Sequence, residues 1–248
     1  MSDFYMDAHM HFDLYKGRNK ILSYIEQKKS YTIAVTNLPD IYKQYLGIDE
    51  KYKFTKIALG YHPELVKDFP DQVDTFIEML PFARYIGEIG IDGTIRDRQI
   101  LLRQEHIFGK ILETASGEEK ILSVHSRRAS KEVMKHLTGF DGKVILHWFS
   151  GRLQDLEEAV DRGYFFSINP QMLKSKAGET IVSHIPIHRI LLESDAPFIN
   201  ELKKEYSVEF NDYIYQYLAA KYNVPYEQVM MRVKANFAEV IKKDKKDE

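Results

Sequence analysis

Apolar residues along the chain gather into eight short runs rich in β-branched and aromatic side chains, most followed by a longer stretch with helical spacing of apolar positions. The runs are FYMDAHMHF from Phe4, SYTIAVTN from Ser30, KIALGYHP from Lys56, ARYIGEIGID from Ala83, KILSVHS from Lys120, KVILHWFS from Lys143, GYFFSINP from Gly163 and RILLESDAPF from Arg189. Helices are predicted between them, including Asp71 to Leu80, Asp97 to Ala115, Ser130 to Leu137 and Arg152 to Arg162. Eight strand-then-helix units fit a closed parallel (β/α)8 barrel, a TIM barrel, better than an open doubly wound sheet. From about Leu202 the pattern turns to two terminal helices, split near Asn223-Val224-Pro225, where Pro225 suits a helix start.

With 248 residues, no fixed-length repeat and no low-complexity linker, the chain is expected to form a single domain over 1–248, with closing helices at about 202–242 and a solvated charged tail at 243–248. Hydrophobic residues at 44% supply a sizeable core. The net charge of −2 provides no global positive field, so any contact with nucleic acid must be local. Because the chain has no cysteine, a metal would have to be held by His and carboxylates. Neither a signal peptide nor a membrane span is apparent, which makes the cytoplasm the expected location.

Candidate chemistry lies at the strand ends. Five of the nine histidines, His9, His11, His62, His125 and His147, fall at or near the C-terminal ends of predicted strands, the face on which barrel loops assemble a site. His106, His136, His184 and His188 fall on helices or loops. Side chains two apart on a strand share a face, so His9 and His11 reach one ion together, and Asp7 on that face is placed to orient an imidazole. Glu88, in IGEIGID, is a carboxylate deep in an apolar run, which demands a cation or an ion pair, Arg127 being the alternative partner. Asp195 ends the eighth run the same way, with Glu193 deeper on its face. Each residue alone has an ordinary structural explanation; the constellation is harder to read as core packing.

These blocks resemble the TatD family of metal-dependent deoxyribonucleases: DAHMHFD from Asp7, ALGYHPE from Ala58, IGEIGIDG from Ile86, SVHSR from Ser123, LHWFSG from Leu146 and ESDAPF from Glu193. Within the family, DAHMHFDLY, LHWFSG and the compact length look most like the TatD-like nuclease of Qat anti-phage systems. The resemblance implies a metallo-dependent hydrolase barrel with two divalent metal ions. His9, His11, Glu88 and Asp195 would hold one, Glu88, His125 and His147 the other, and Glu88 would bridge. It further implies a metal-activated hydroxide attacking a DNA phosphodiester, with Glu88 and Asp195 catalytic and Asp195 able to take the water's proton. His62 and Arg127 would contact substrate phosphate, His62 as a donor rather than a ligand. Mixed His and carboxylate ligands suit Zn²⁺, Mn²⁺ or Fe²⁺, whereas the resemblance points to Mg²⁺ or Mn²⁺. DNA, single-stranded or at ends, is the implied substrate, with defence-system proteins as further partners. Members usually carry an Asn-x-Pro element after the eighth strand, which INELKKEYSVEFNDYIYQYL lacks. Two alternatives stand beside this: a related barrel hydrolase of a small amide, lactone or ester, and a partner-dependent subunit of a defence complex.

Overall fold

The computed structural model describes residues 4–47, 51–117 and 119–242. Among them the strands are β1 Met6–Met10, β2 Tyr31–Val35, β3 Thr55–Ala58, β4 Tyr85–Gly90, β5 Ile121–His125, β6 Lys143–His147, β7 Phe165–Ile168 and β8 Ile190–Leu192, each inside one of the eight predicted runs apart from the first residue of β3. The helices are α1 Arg18–Lys28, α2 Pro39–Gln44, α3 Gln72–Met79, α4 Arg98–Ala115, α5 Ser130–His136, α6 Leu153–Asp161, α7 Lys176–His184, α8 Phe210–Tyr222 and α9 Tyr226–Ile241. The proposed tail at 243–248 lies outside the described residues.

The strands pair in parallel and in chain order, β1 to β3 in one ladder and β4 to β8 in another. Two seams join the ladders. At the first, Leu59 bridges Ile86 in parallel and Gly87 N donates to Leu59 O at 2.8 Å. At the second, Asp195 N donates to His9 O and His11 N to Ala196 O, both at 2.9 Å, so the eighth strand returns to the first and the barrel closes. The closed parallel barrel expected from the pattern is the architecture found.

Strand alternation sorts the side chains. All five residues of β1 are buried, because one face meets the surrounding helices and the other fills the barrel. Met6, Ala8 and Met10 share one face; Asp7 and His9 share the other, continued by His11. Local signals in the sequence explain several helix limits. Asp97 caps α4, its side chain accepting from Gln99 N at 2.8 Å and Ile100 N at 3.4 Å. Asn223, in the left-handed region at φ 51°, stops α8, and Pro225 stands at the N-cap of α9, so the predicted split falls where the backbone chemistry requires it. Two glycines sit where strands approach closely beside the site. A Cβ on Gly60 would lie 1.6 Å from Thr36 O, and Gly90, at φ 140°, would place one 2.1 Å from His125 O.

Candidate metal centre

Glu88 is the hub. It sits on β4 at 1% exposure, and its two oxygens divide the surrounding imidazoles between them. Oε1 lies 2.6 Å from His125 Nδ1 and 2.9 Å from His147 Nε2, while Oε2 lies 3.2 Å from His11 Nε2, 3.2 Å from His62 Nε2 and 3.5 Å from His9 Nε2. Asp195 completes the far side, its Oδ1 3.4 Å from His11 Nε2 and 3.7 Å from His9 Nε2. Three triads of these residues are close enough to hold an ion: His9 with His11 and Asp195, His9 with Glu88 and His147, and His62 with Glu88 and His125. All six residues expected as ligands therefore converge at the C-terminal mouth of the barrel.

The donor set fits a cation. His9 Nδ1 is 2.7 Å from Ser123 Oγ, and a proton on that nitrogen leaves the Nε2 lone pair facing His11 Nε2 at 3.2 Å. Asp195 Oδ1, His11 Nδ1 and His147 Nδ1 are buried without a hydrogen-bond partner among the described residues. Unsatisfied buried polar atoms are costly, and a divalent ion beside Asp195 Oδ1 removes that cost at the carboxylate. Asp195 itself adopts φ 47°, in the left-handed region that Asp tolerates better than most residues.

Electrostatics follow from packing imidazoles around carboxylates. Burial opposes charge on Glu88, but His62, His147 and His125 outweigh it and hold the carboxyl well below its usual range. Burial and the neighbouring His147 lower His9 to about 3. For His11 burial acts downward, yet Asp195 and Glu88 prevail and raise it to about 10. The two facing nitrogens thus share one proton rather than carrying two. His147 is likewise raised, against burial, by Glu88 and Glu193, and its ring stacks on His9 with centroids 3.9 Å apart.

Surrounding groups fix the rings. His125 Nε2 is 2.8 Å from Asp92 Oδ2, a carboxylate that accepts in turn from the Thr94 backbone N–H at 2.7 Å and from its hydroxyl. Glu193 lies 3.6 Å from His147 Nδ1 and accepts from Trp148 N at 3.0 Å, from Asn169 Nδ2 at 3.0 Å and from the Ser167 hydroxyl. Sequence analysis did not single out Asp92 or Ser123. The signals were present: Asp92 closes the same IGEIGID run four residues after Glu88, and Ser123 is two before His125 and so shares its strand face.

One expectation is corrected. Asp7 meets no imidazole; it accepts from Ser194 N at 2.9 Å, Tyr206 Oη at 2.9 Å and His9 N at 3.2 Å, so it buttresses the β1–β8 seam through backbone and phenol. Burial raises its carboxyl to about 7 against those hydrogen bonds. The alternative pairing of Glu88 with Arg127 is absent among the described residues. Arg127 is exposed and lines a cleft of about 350 Å³ with His62, Glu88, His125, Trp148 and Phe198. His62 accepts from Glu64 N at Nδ1, 3.2 Å away, which places its proton on Nε2 and makes it a donor toward Glu88 Oε2. The four remaining histidines stand apart from this cluster on helices or loops, as expected.

Comparison with known proteins bears on the family and the fold. Human deoxyribonuclease TATDN3 is 28% identical over 255 residues, covering 91% of this chain and 90% of that protein. The 3'-5' ssDNA/RNA exonuclease TatD of Citrobacter koseri is 25% identical over 173 residues, 66% of each chain. The crystal structure of YjjV, a TatD homologue from Escherichia coli K12, superposes with a TM-score of 0.82 at 22% identity, covering 95% of this chain and 97% of that one. Residues 6–242 match the profile of the family described as TatD related DNase, and the chain belongs to that family.

Proposed function

We propose that this metal-dependent hydrolase cleaves DNA phosphodiester bonds with two divalent cations, Mg²⁺, Mn²⁺ or Zn²⁺, bridged by Glu88. The observation that carries the reading is the division of Glu88, with Oε1 toward His125 and His147 and Oε2 toward His9 and His11. A carboxylate whose oxygens face separate ligand groups is the natural shared ligand of a paired site. His9, His11, Glu88 and Asp195 would hold one cation, and Glu88, His125 and His147 the other. When bound, the cations supply the acidity that makes water nucleophilic near neutral pH and positive charge to offset that building on the phosphate oxygens.

The remaining work falls to side chains of the cleft. His62, carrying its proton on Nε2, donates a hydrogen bond to a phosphate oxygen entering beside Glu88. Arg127, exposed on the same wall, grips the phosphate with its planar fork. Asp195, whose carboxylate is buried at the same site, accepts the proton leaving the attacking water. Single strands or strand ends are the proposed substrate, in keeping with the Citrobacter koseri relative, an ssDNA/RNA exonuclease. The whole chain is read as one catalytic domain acting in the cytoplasm, and no helix among the described residues is long and apolar enough to cross a membrane. The DAHMHFDLY and LHWFSG blocks extend the reading to anti-phage defence of the Qat type with partner proteins, which plaque counts with and without Glu88→Gln would test.

The deciding experiment is cation content together with Mg²⁺- or Mn²⁺-dependent nucleotide release from single-stranded DNA, comparing wild type with Glu88→Gln beside a lactone and ester panel. Wild type should bind about two cations and cut DNA, and the variant should lose both properties. Turnover of the ester panel without DNA cleavage, or a wild type that binds no cation, would overturn the reading.

A further inference from the structure

The chain's single tryptophan stands beside the metal centre, directly after His147, whose Nε2 lies 2.9 Å from Glu88 Oε1. Trp148 holds φ 36°, a conformation that a bulky side chain adopts only when its surroundings impose it. The imposing contact is at hand: Trp148 N donates to the buried Glu193 at 3.0 Å. The indole so placed remains half-buried. It forms a wall of the site cleft and also of an adjoining groove of about 400 Å³ lined by Met172, Thr180 and Ile181. Phe198 lines the site cleft as well; it is 57% exposed, and its ring stands edge-on to His11 with centroids 5.2 Å apart. Two aromatic rings, one exposed guanidinium and the carboxylate-imidazole cluster thus share one cleft.

We infer that Trp148 is the surface on which the site stacks a nucleobase next to the scissile phosphate, with Phe198 as a second aromatic face. The inference rests on the phosphodiesterase reading and names the residue that receives the base. Leaving large apolar rings exposed at a cleft mouth is unfavourable in water, and a nucleobase covers them without needing a hydrogen-bond code. Every base offers a flat π face, so stacking is tolerant of sequence, whereas bases inside a duplex are already stacked and paired. Arg127 on the same cleft meets the phosphate that such a base brings with it. A small lactone or aliphatic ester has no flat face to place against either ring. The bond to Glu193 anchors the Trp148 backbone at the edge of the cleft.

The test compares kcat/KM on oligothymidylate with kcat/KM on the same oligonucleotide carrying abasic residues at its ends, for wild type, Trp148→Ala and Trp148→Phe. Wild type should prefer the base-bearing strand by about tenfold, the usual scale for one base on one ring. Trp148→Ala should erase that preference, mainly through KM on the base-bearing strand, and Trp148→Phe should restore much of it. Because the chain has one tryptophan, fluorescence of the unmutated protein gives a reading that needs no variant: base-bearing oligonucleotide should quench it more than abasic. Equal quenching by both strands, or a Trp148→Ala variant slowed equally on both, would overturn the inference while leaving the nuclease reading intact. If wild type cuts neither strand, the nuclease reading itself falls, and the inference with it.

Discussion

Asp92 holds His125 from behind, its Oδ2 2.8 Å from His125 Nε2 while Nδ1 of the same ring reaches Glu88 Oε1 at 2.6 Å. A carboxylate on the far nitrogen of an imidazole fixes the tautomer and makes the near nitrogen a better donor. Replacing Asp92 by Asn should therefore weaken cation affinity by about 10- to 100-fold without unfolding the barrel. Calorimetric titration of Mn²⁺ into both proteins measures this, and equal affinities would show that Asp92 only fills space.

Cation uptake should release protons. His11 is raised to about 10 by Asp195 and Glu88 working against burial, so at neutral pH it carries a proton that an incoming ion must displace. Affinity should rise with pH up to the region of that value. Titrating cation in two buffers of different ionisation enthalpy counts the protons, and a count of zero near pH 7.5 would show that His11 carries no proton for the ion to displace.

His62 offers a sharper distinction. With its proton on Nε2, held there by Glu64 N at Nδ1, it is expected to act on substrate and not on a cation. His62→Ala should lower kcat by roughly 10²- to 10³-fold, on the scale of a lost catalytic hydrogen-bond donor or acid, with cation stoichiometry unchanged. Loss of a bound ion together with activity would move His62 into the ligand set.

Asp7 gives a stability prediction whose sign follows from its environment. Burial raises it to about 7 from the ordinary 3.8, so between those values the folded chain binds a proton that the unfolded chain has released. Its contribution to stability is fully present below the lower value, declines as pH rises, and is lost above the higher one. Asp7→Asn should remove this slope. Denaturant melts of cation-free protein across pH 4 to 8 read it directly, and parallel curves for the two proteins would refute it.

How much of this was legible in the sequence depended on the kind of signal. The strands were readable because a barrel strand is buried on both faces and leaves an unbroken apolar run. β8 stops at Leu192, short of its run, because Ser194 N bonds the Asp7 side chain instead of a neighbouring strand. Less visible were α1, which lacks a side-chain cap, α2, only six residues long, and α7, which carries Gly178 and β-branched residues. The cluster of candidate ligands was legible because His, Glu and Asp at the ends of apolar runs are conspicuous. The partners of Asp92, Ser123 and Trp148 were not, since His125, His9 and Glu193 reach them only once strands distant in sequence are brought together.

The β8–β1 seam would give an ion at the candidate centre a second role. His9 and Asp195 are joined by a backbone hydrogen bond, and their side chains face the same prospective ion. An ion held by His9, His11 and Asp195 would act as a reversible cross-link between the two ends of the barrel in a chain that has no cysteine to make a covalent one. Such a link closes a loop running through nearly every strand, and its free energy of binding is also free energy of folding. Cation supply would then set the lifetime of the folded chain as well as its rate of turnover, and chelation would shorten both together.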